Sequence, residues 1–91
     1  MRLLFRAEAA ADLRSIIAYY EEVAPEALAN ILADIHRSID QLTHFPRIGV
    51  PVQDRPFRRL VTRRYHFKVA YSVQANYILI LGIFRYQDRE L

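Results

Sequence analysis

Over residues 7–22 apolar side chains recur at Ala9, Leu13, Ile16, Ile17 and Tyr20, which is the i, i+4, i+7, i+8, i+11 spacing of one helix face. Glu8, Asp12, Arg14, Ser15 and Glu22 oppose that face, and Glu8 falls in the first turn, where the helix dipole favours an acid. No Ser, Thr, Asp or Asn precedes the segment, so the pattern leaves its start uncertain by a turn. A second helix is predicted over residues 25–43. Pro25 suits a first helical position, and Leu28, Ile31, Leu32, Ile35, Ile39 and Leu42 form a continuous stripe. Asn30, Asp34, Arg37 and Gln41 are expected away from that stripe. The break between the two segments is short enough to imply an antiparallel helical hairpin.

Strand patterns flank the helices. Residues 2–5, Arg-Leu-Leu-Phe, form a short apolar run that reads as a first strand. Phe45-Pro46 closes the second helix, because the residue before proline disfavours helix. The next eleven residues, PRIGVPVQDRP, hold three of the four prolines and one of the two glycines, and read as loop or irregular extended chain. A strand over 57–63 mixes Phe57, Leu60 and Val61 with arginines, so its register is poorly specified. Over 65–73, Tyr65, Phe67, Val69, Tyr71 and Val73 alternate with His66, Lys68, Ala70 and Ser72. One face of that strand is expected in the core, the other presenting His66 and Lys68. Residues 77–84 are apolar on both faces, the signature of a central strand covered on each side. Gly82 within it suggests a bulge or a close approach by another group. The order is β-α-α-β-β-β: one α+β domain over residues 1–91, with a helical hairpin packed on a small antiparallel sheet.

Length and composition narrow the class. Ninety-one residues, 53% of them hydrophobic and 25% charged, suit one globular core and no second. With no cysteine, disulfides and thiolate metal sites are excluded, which fits a reducing cytosol. The opening MRLLFRAEAA is too short an apolar run for a signal peptide. Nothing approaches the roughly 18 continuous apolar residues of a membrane span, so a cytoplasmic protein without membrane contact is expected.

Charge changes the picture more. Residues 1–45 carry four arginines against seven acids, while residues 46–91 carry eight arginines and Lys68 against three acids. The stretch RPFRRLVTRRYHFKVAY, residues 55–71, contains six cations and no acid, interleaved with apolar and aromatic residues. Such a surface can steer an anionic partner, and arginine suits bidentate contact with carboxylate or phosphate. The plainer alternative is a solvated sheet face that happens to be basic.

Three chemistries compete with ordinary structural roles. His36, Asp40 and His44 share a helix face at i, i+4, i+8, but His44 lies at the helix end and no fourth ligand is in reach, so neither a metal nor a cofactor is expected. Nucleophilic catalysis lacks any G-x-S-x-G elbow, and the adjacent Glu21 and Glu22 face different directions. RNA cleavage through the 2′-hydroxyl needs a base, cations for the phosphate and an acid for the leaving oxygen. The candidates for it are His66, Lys68, Arg85 and Tyr86, with Arg58 and Arg64 beside them. Histidine is the side chain that titrates near neutral pH, although a lone strand histidine is more often only the polar side of its strand.

In order along the chain, AEAAADLRSIIAYY, the second amphipathic helix, FPRIGVP, FRRLVTRRYHFKVAYSV and ILILGIFRYQD together resemble the RelE/ParE superfamily of type II toxin–antitoxin toxins, and its ParE branch more closely. The resemblance covers nearly the whole chain. It implies a cytoplasmic toxin held in a hetero-oligomer by an acidic ParD-like antitoxin whose C-terminal segment wraps the hairpin and the sheet. ParE-like members act on DNA gyrase; RelE-like members cut mRNA on the ribosome. By position, Lys68 falls where the RelE branch tends to carry arginine, and Arg85-Tyr86 falls near its terminal basic and aromatic residues. The chain departs from that branch in having one lysine and no acid between Asp54 and Asp88 to act as a sheet-borne base. It departs from many ParE-like chains in carrying Arg85 where they have histidine. The expectation is therefore a non-enzymatic gyrase inhibitor, with a ribosome-dependent, metal-independent mRNA endonuclease and a non-toxic partner-binding member as alternatives. Arg58, Arg59, Arg64, Lys68, Arg85 and Tyr86 are expected to meet antitoxin or target on the bare face of the sheet.

Overall fold

The computed structural model describes residues 1–85, so Tyr86 and the acids at the chain end fall outside the described residues. β1 (Arg2–Phe5) leads into α1 (Ala7–Val23), a 3-10 turn (Pro25–Ala27) and α2 (Leu28–Gln41). Then come β2 (Val50–Pro51), β3 (Arg58–Val61), β4 (Lys68–Val73) and β5 (Tyr77–Phe84). Arg6 opens α1 with extended backbone and no side-chain cap, in keeping with the lack of a capping residue in the sequence.

The strands form one sheet in the order β1-β5-β4-β3-β2. β3, β4 and β5 run as an antiparallel meander, but β1 joins β5 in parallel, so the sheet is mixed rather than wholly antiparallel. The two-residue β2 adds a fifth strand within the proline-rich loop, pairing Val50 with Arg59 and Pro51 with Arg58. Pro51, with no N–H to offer a further strand, suits this place at the sheet edge.

Both helices lie on one face. Ala9, Ile16, Ile31, Ile35, Ile39 and Leu42 meet Phe67, Val69, Tyr71, Ile78, Ile80 and Ile83 in a single buried cluster. Strand alternation sets this up: Val69, Tyr71 and Val73 point to the helices, while Lys68, Ala70 and Ser72 point away. In β5 the alternation is broken once. Ala70 pairs with Gly82 but Tyr71 with Ile80, leaving Leu81 as the extra residue of a β-bulge, which lets Ile80 and Ile83 both reach the core. The bulge and the close approach expected at Gly82 are both present, since a Cβ there would sit 2.7 Å from the Phe84 ring. β5 lies between β1 and β4, but helices cover only one of its faces; on the other, Leu79, Leu81 and Phe84 are half-buried.

Two acids assigned to solvent are drawn inward. Asp34 is 3% exposed on α2, and its carboxylate accepts the backbone N–H groups of Arg64 (3.1 Å) and Tyr65 (2.8 Å). Asp12 on α1 accepts the Ile83 N–H at 3.0 Å, just past the point where β1 stops pairing with β5. Each satisfies a strand or loop donor that the sheet itself leaves without a partner.

Candidate functional site

Two concave surfaces stand on opposite sides of the sheet. The first is an apolar groove of about 660 Å³ on the helix side, where Leu3 and Phe5 of the edge strand β1 meet Leu13 and Ile17 of α1 and Leu32, Ile35 and Ile39 of α2. His36 and Asp40 lie among its lining residues. Leu32 is half-exposed although it continues the apolar stripe, because α2 turns Ile31, Asp34, Ile35 and Ser38 inward and leaves Leu32 beside them. Phe5, 42% exposed, opens the groove along a strand edge that no other described strand pairs. Apolar side chains at such an edge suit a partner segment better than water.

The second is a cleft of about 430 Å³ on the face without helices, with Phe57, Leu81 and Phe84 beside a floor of Ala70, Ser72 and Gly82. Arg6 and Arg55 stand among its walls. The Arg6 guanidinium donates to the Leu81 carbonyl at the bulge (3.0 Å) and lies 3.2 Å from Glu8.

The arginines expected to gather on the bare sheet do not share one surface. Arg58 pairs with Tyr71 across β3–β4 and so faces the helix side, where its Nη1 donates to the carbonyls of Gly49 (2.8 Å) and Arg47 (3.3 Å). It anchors the loop before β2. Arg85 also turns to the helix side, 4.5 Å above the Tyr19 ring. Arg64 lies in the β3–β4 loop, over the Tyr65 ring at 5.1 Å. Of the expected set, Arg59, paired with Ala70, and Lys68 lie on the helix-free face, and Lys68 is 5% exposed. Tyr86 lies outside the described residues.

His66 departs from its expected place as well. β4 begins at Lys68, and the chain before it turns through a four-residue loop closed by Thr62 and Phe67: the Thr62 N–H donates to the Phe67 carbonyl (2.8 Å), and the Phe67 N–H donates to Thr62 Oγ1 (2.8 Å). His66 takes a φ of 61° at the end of that loop, a left-handed conformation that His tolerates better than β-branched residues. Its side chain is exposed at the hairpin tip rather than alternating along a strand.

Asp34 ties this loop to α2. Burial pushes its carboxyl up, but the Tyr65 N–H, the Thr62 hydroxyl, the Arg64 N–H and the Arg37 charge outweigh it and hold the group below its ordinary 3.8. Tyr71 is the reverse case. Burial raises its phenol above the ordinary 10.0, against the Gly49 N–H and the Arg58 charge. Neither Asp12 nor Asp34 stands out as a structural acid from local pattern alone. A signal for Asp12 is nonetheless present in the A-x-x-D-L pattern of α1: an acid placed beside the core stripe. Asp34 gives none beyond its adjacency to Ile35.

Fold and surfaces thus define a small α+β protein with an apolar groove on one side of its sheet and a basic, aromatic cleft on the other. A family model, the ParE toxin of the type II toxin–antitoxin system parDE, matches residues 3–89, and the chain belongs to that family. A solved structure of a chromosomal ParDE toxin–antitoxin system from P. aeruginosa superposes with a TM-score of 0.73 at 28% identity, covering 96% of this chain and 97% of that one. No curated protein sequence matches the chain. Family membership makes this a toxin with a cognate antitoxin as its partner. Among the described residues, no helix is long and apolar enough to cross a membrane.

Proposed function

We propose that the protein is a cytoplasmic, non-enzymatic toxin that arrests growth by inhibiting DNA gyrase, and that its antitoxin silences it by lying along the helix-side groove. The observation that carries the first part is the dispersal of the nuclease candidates among the described residues. His66 sits exposed at a hairpin tip, Lys68 is buried on the helix-free face, and Arg85 stacks on Tyr19 on the helix side. A single scissile phosphate needs base, cation and acid within hydrogen-bond reach of one another's targets, and strands that send these groups to different surfaces do not provide that. Inhibition by binding needs no such convergence. The groove supports the second part, because it offers a strand edge unpaired among the described residues, and an apolar wall, to one extended or helical segment. Of the cations expected at the interface, Arg64 in the β3–β4 loop is the one this reading assigns to an acidic antitoxin, and Arg59 and Lys68 belong with contacts on the opposite face.

Induced expression with two readouts tests this reading. Nucleoid damage with intact transcripts is the expected result. Codon-linked mRNA cuts with undamaged DNA would replace it with the ribosomal endonuclease.

A further inference from the structure

The helix-free face of the sheet has a composition that the groove lacks. Register places Arg2 and Leu4 of β1 on it, with Tyr77 and Leu79 of β5, Lys68, Ala70 and Ser72 of β4, and Arg59 and Val61 of β3. No acid occupies any of these positions, and among the described residues none lines the cleft that Phe57 and Phe84 flank. The floor of that cleft is flat because Ala70, Ser72 and Gly82 stand side by side there, and Gly82 leaves room for the Phe84 ring against the backbone.

We propose that this face binds single-stranded DNA, one base stacking in the cleft between Phe57 and Phe84, with Arg55 at the cleft wall meeting a neighbouring phosphate and Arg2, beside Tyr77 at the far end of β5, meeting one further along the strand. Charge complementarity selects a polyanion. The rings select one with exposed bases, since aromatic faces on a cationic sheet are what unpaired bases stack upon. A duplex keeps its bases inside and would use the arginines but not the rings. An acidic peptide is the weaker fit, because the cleft lies mid-sheet over β4 and β5, whose backbone groups are already joined in the ladder and have nothing to offer another strand. The cleft volume of 430 Å³ falls in the range of small-ligand sites, about 300–1,000 Å³. The choice of DNA over RNA rests on the gyrase reading above.

The test is fluorescence anisotropy of labelled dT15 against the full chain at stepped salt, with rU15, a 15-base-pair duplex and an acidic peptide in parallel. The expected result is tightest binding to dT15, weakening as salt rises. Arg2→Glu with Arg55→Glu, both at exposed positions, should weaken it at least tenfold and lower the salt slope by about 0.7 for each phosphate no longer neutralised. Phe57→Ala should weaken it roughly five- to 150-fold with the salt slope unchanged, as loss of one base–aromatic stack requires. Absence of dT15 binding at low salt, tighter binding of rU15, duplex or peptide, or full affinity in these variants would overturn the proposal. Gyrase inhibition by a chain that ignores dT15 would overturn this inference alone; dT15 binding by a chain that leaves gyrase untouched would overturn the gyrase reading alone.

Discussion

Replacing Asp34 by alanine should unlatch the β3–β4 hairpin from α2. The carboxylate accepts two backbone N–H groups, at 2.8 and 3.1 Å, and the Thr62 hydroxyl, in a side chain only 3% exposed. Hydrogen bonds to a charged acceptor contribute about 1.5–3 kcal/mol each. The two amides are only partly buried, so water recovers part of the loss, and a total near 3 kcal/mol follows. A domain of this length has roughly 5–14 kcal/mol in all. At about 4–8 °C per kcal/mol, the midpoint should fall by roughly 12–24 °C, read by circular dichroism on the full chain. Asp34→Asn isolates the charge, keeping one acceptor and turning an NH2 toward a backbone donor. The pH dependence gives a second reading with a definite sign. Because the folded carboxyl lies below 3.8, its contribution is present above that value and is lost as pH falls through the folded pKa. The stability gap between the natural protein and Asp34→Asn should therefore be full at about pH 6 and narrow below pH 3.8. A gap that stays constant down to about pH 3, or an alanine variant within about 0.5 kcal/mol of the parent, would refute the latch.

Other outcomes follow from the same geometry. Gly49→Ala should destabilise by about 1–3 kcal/mol in urea melts, because the added methyl would lie 2.7 Å from Tyr71 Oη and 2.8 Å from the Arg59 carbonyl. Tyr71→Phe leaves the Gly49 N–H without its 2.9 Å acceptor at a cost of about 1–3 kcal/mol. Because the folded phenol ionises later than the unfolded one, the parent should lose this group's contribution to stability as pH rises above 10.0, and that loss should be missing from the variant. Ile17→Asp in the apolar groove should weaken antitoxin binding at least tenfold in calorimetry while leaving the melting midpoint within a few degrees; unchanged affinity would move the antitoxin elsewhere. His66→Ala should arrest growth as the parent does, and loss of arrest with an intact fold would reinstate a catalytic histidine.

Local pattern made most of the scaffold legible. The apolar run of 77–84 coincides with β5, residues 2–5 with β1, and the helical stripes with α1 and α2 to within a few residues. What pattern could not supply was pairing across the chain. Nothing local tells Leu3 that it will lie beside Ile78 in parallel, or that Val50 and Pro51 in the proline-rich loop will form β2. The site suffered more for the same reason. In a strand such as 57–63, where arginines and apolar residues mix, only the partner strand decides which side Arg58 and Arg59 take, and they take opposite ones. The alternation of 67–73 does not extend back to His66 because the strand ends in a turn whose closing bonds involve Thr62, which carries no turn signal of its own. By pattern Asp12 and Asp34 belong on the solvent side, where acids usually are; each is instead held where a backbone N–H would otherwise lack an acceptor.

A supercoiling assay with purified gyrase, relaxed plasmid and ATP, run with the toxin alone and with its antitoxin, meets the functional claim most directly. Loss of supercoiling or accumulation of cleaved plasmid, reversed by the antitoxin and retained by His66→Ala, is the predicted result. Gyrase that turns over unimpeded at saturating toxin, while the same preparation cuts mRNA on translating ribosomes, would contradict it.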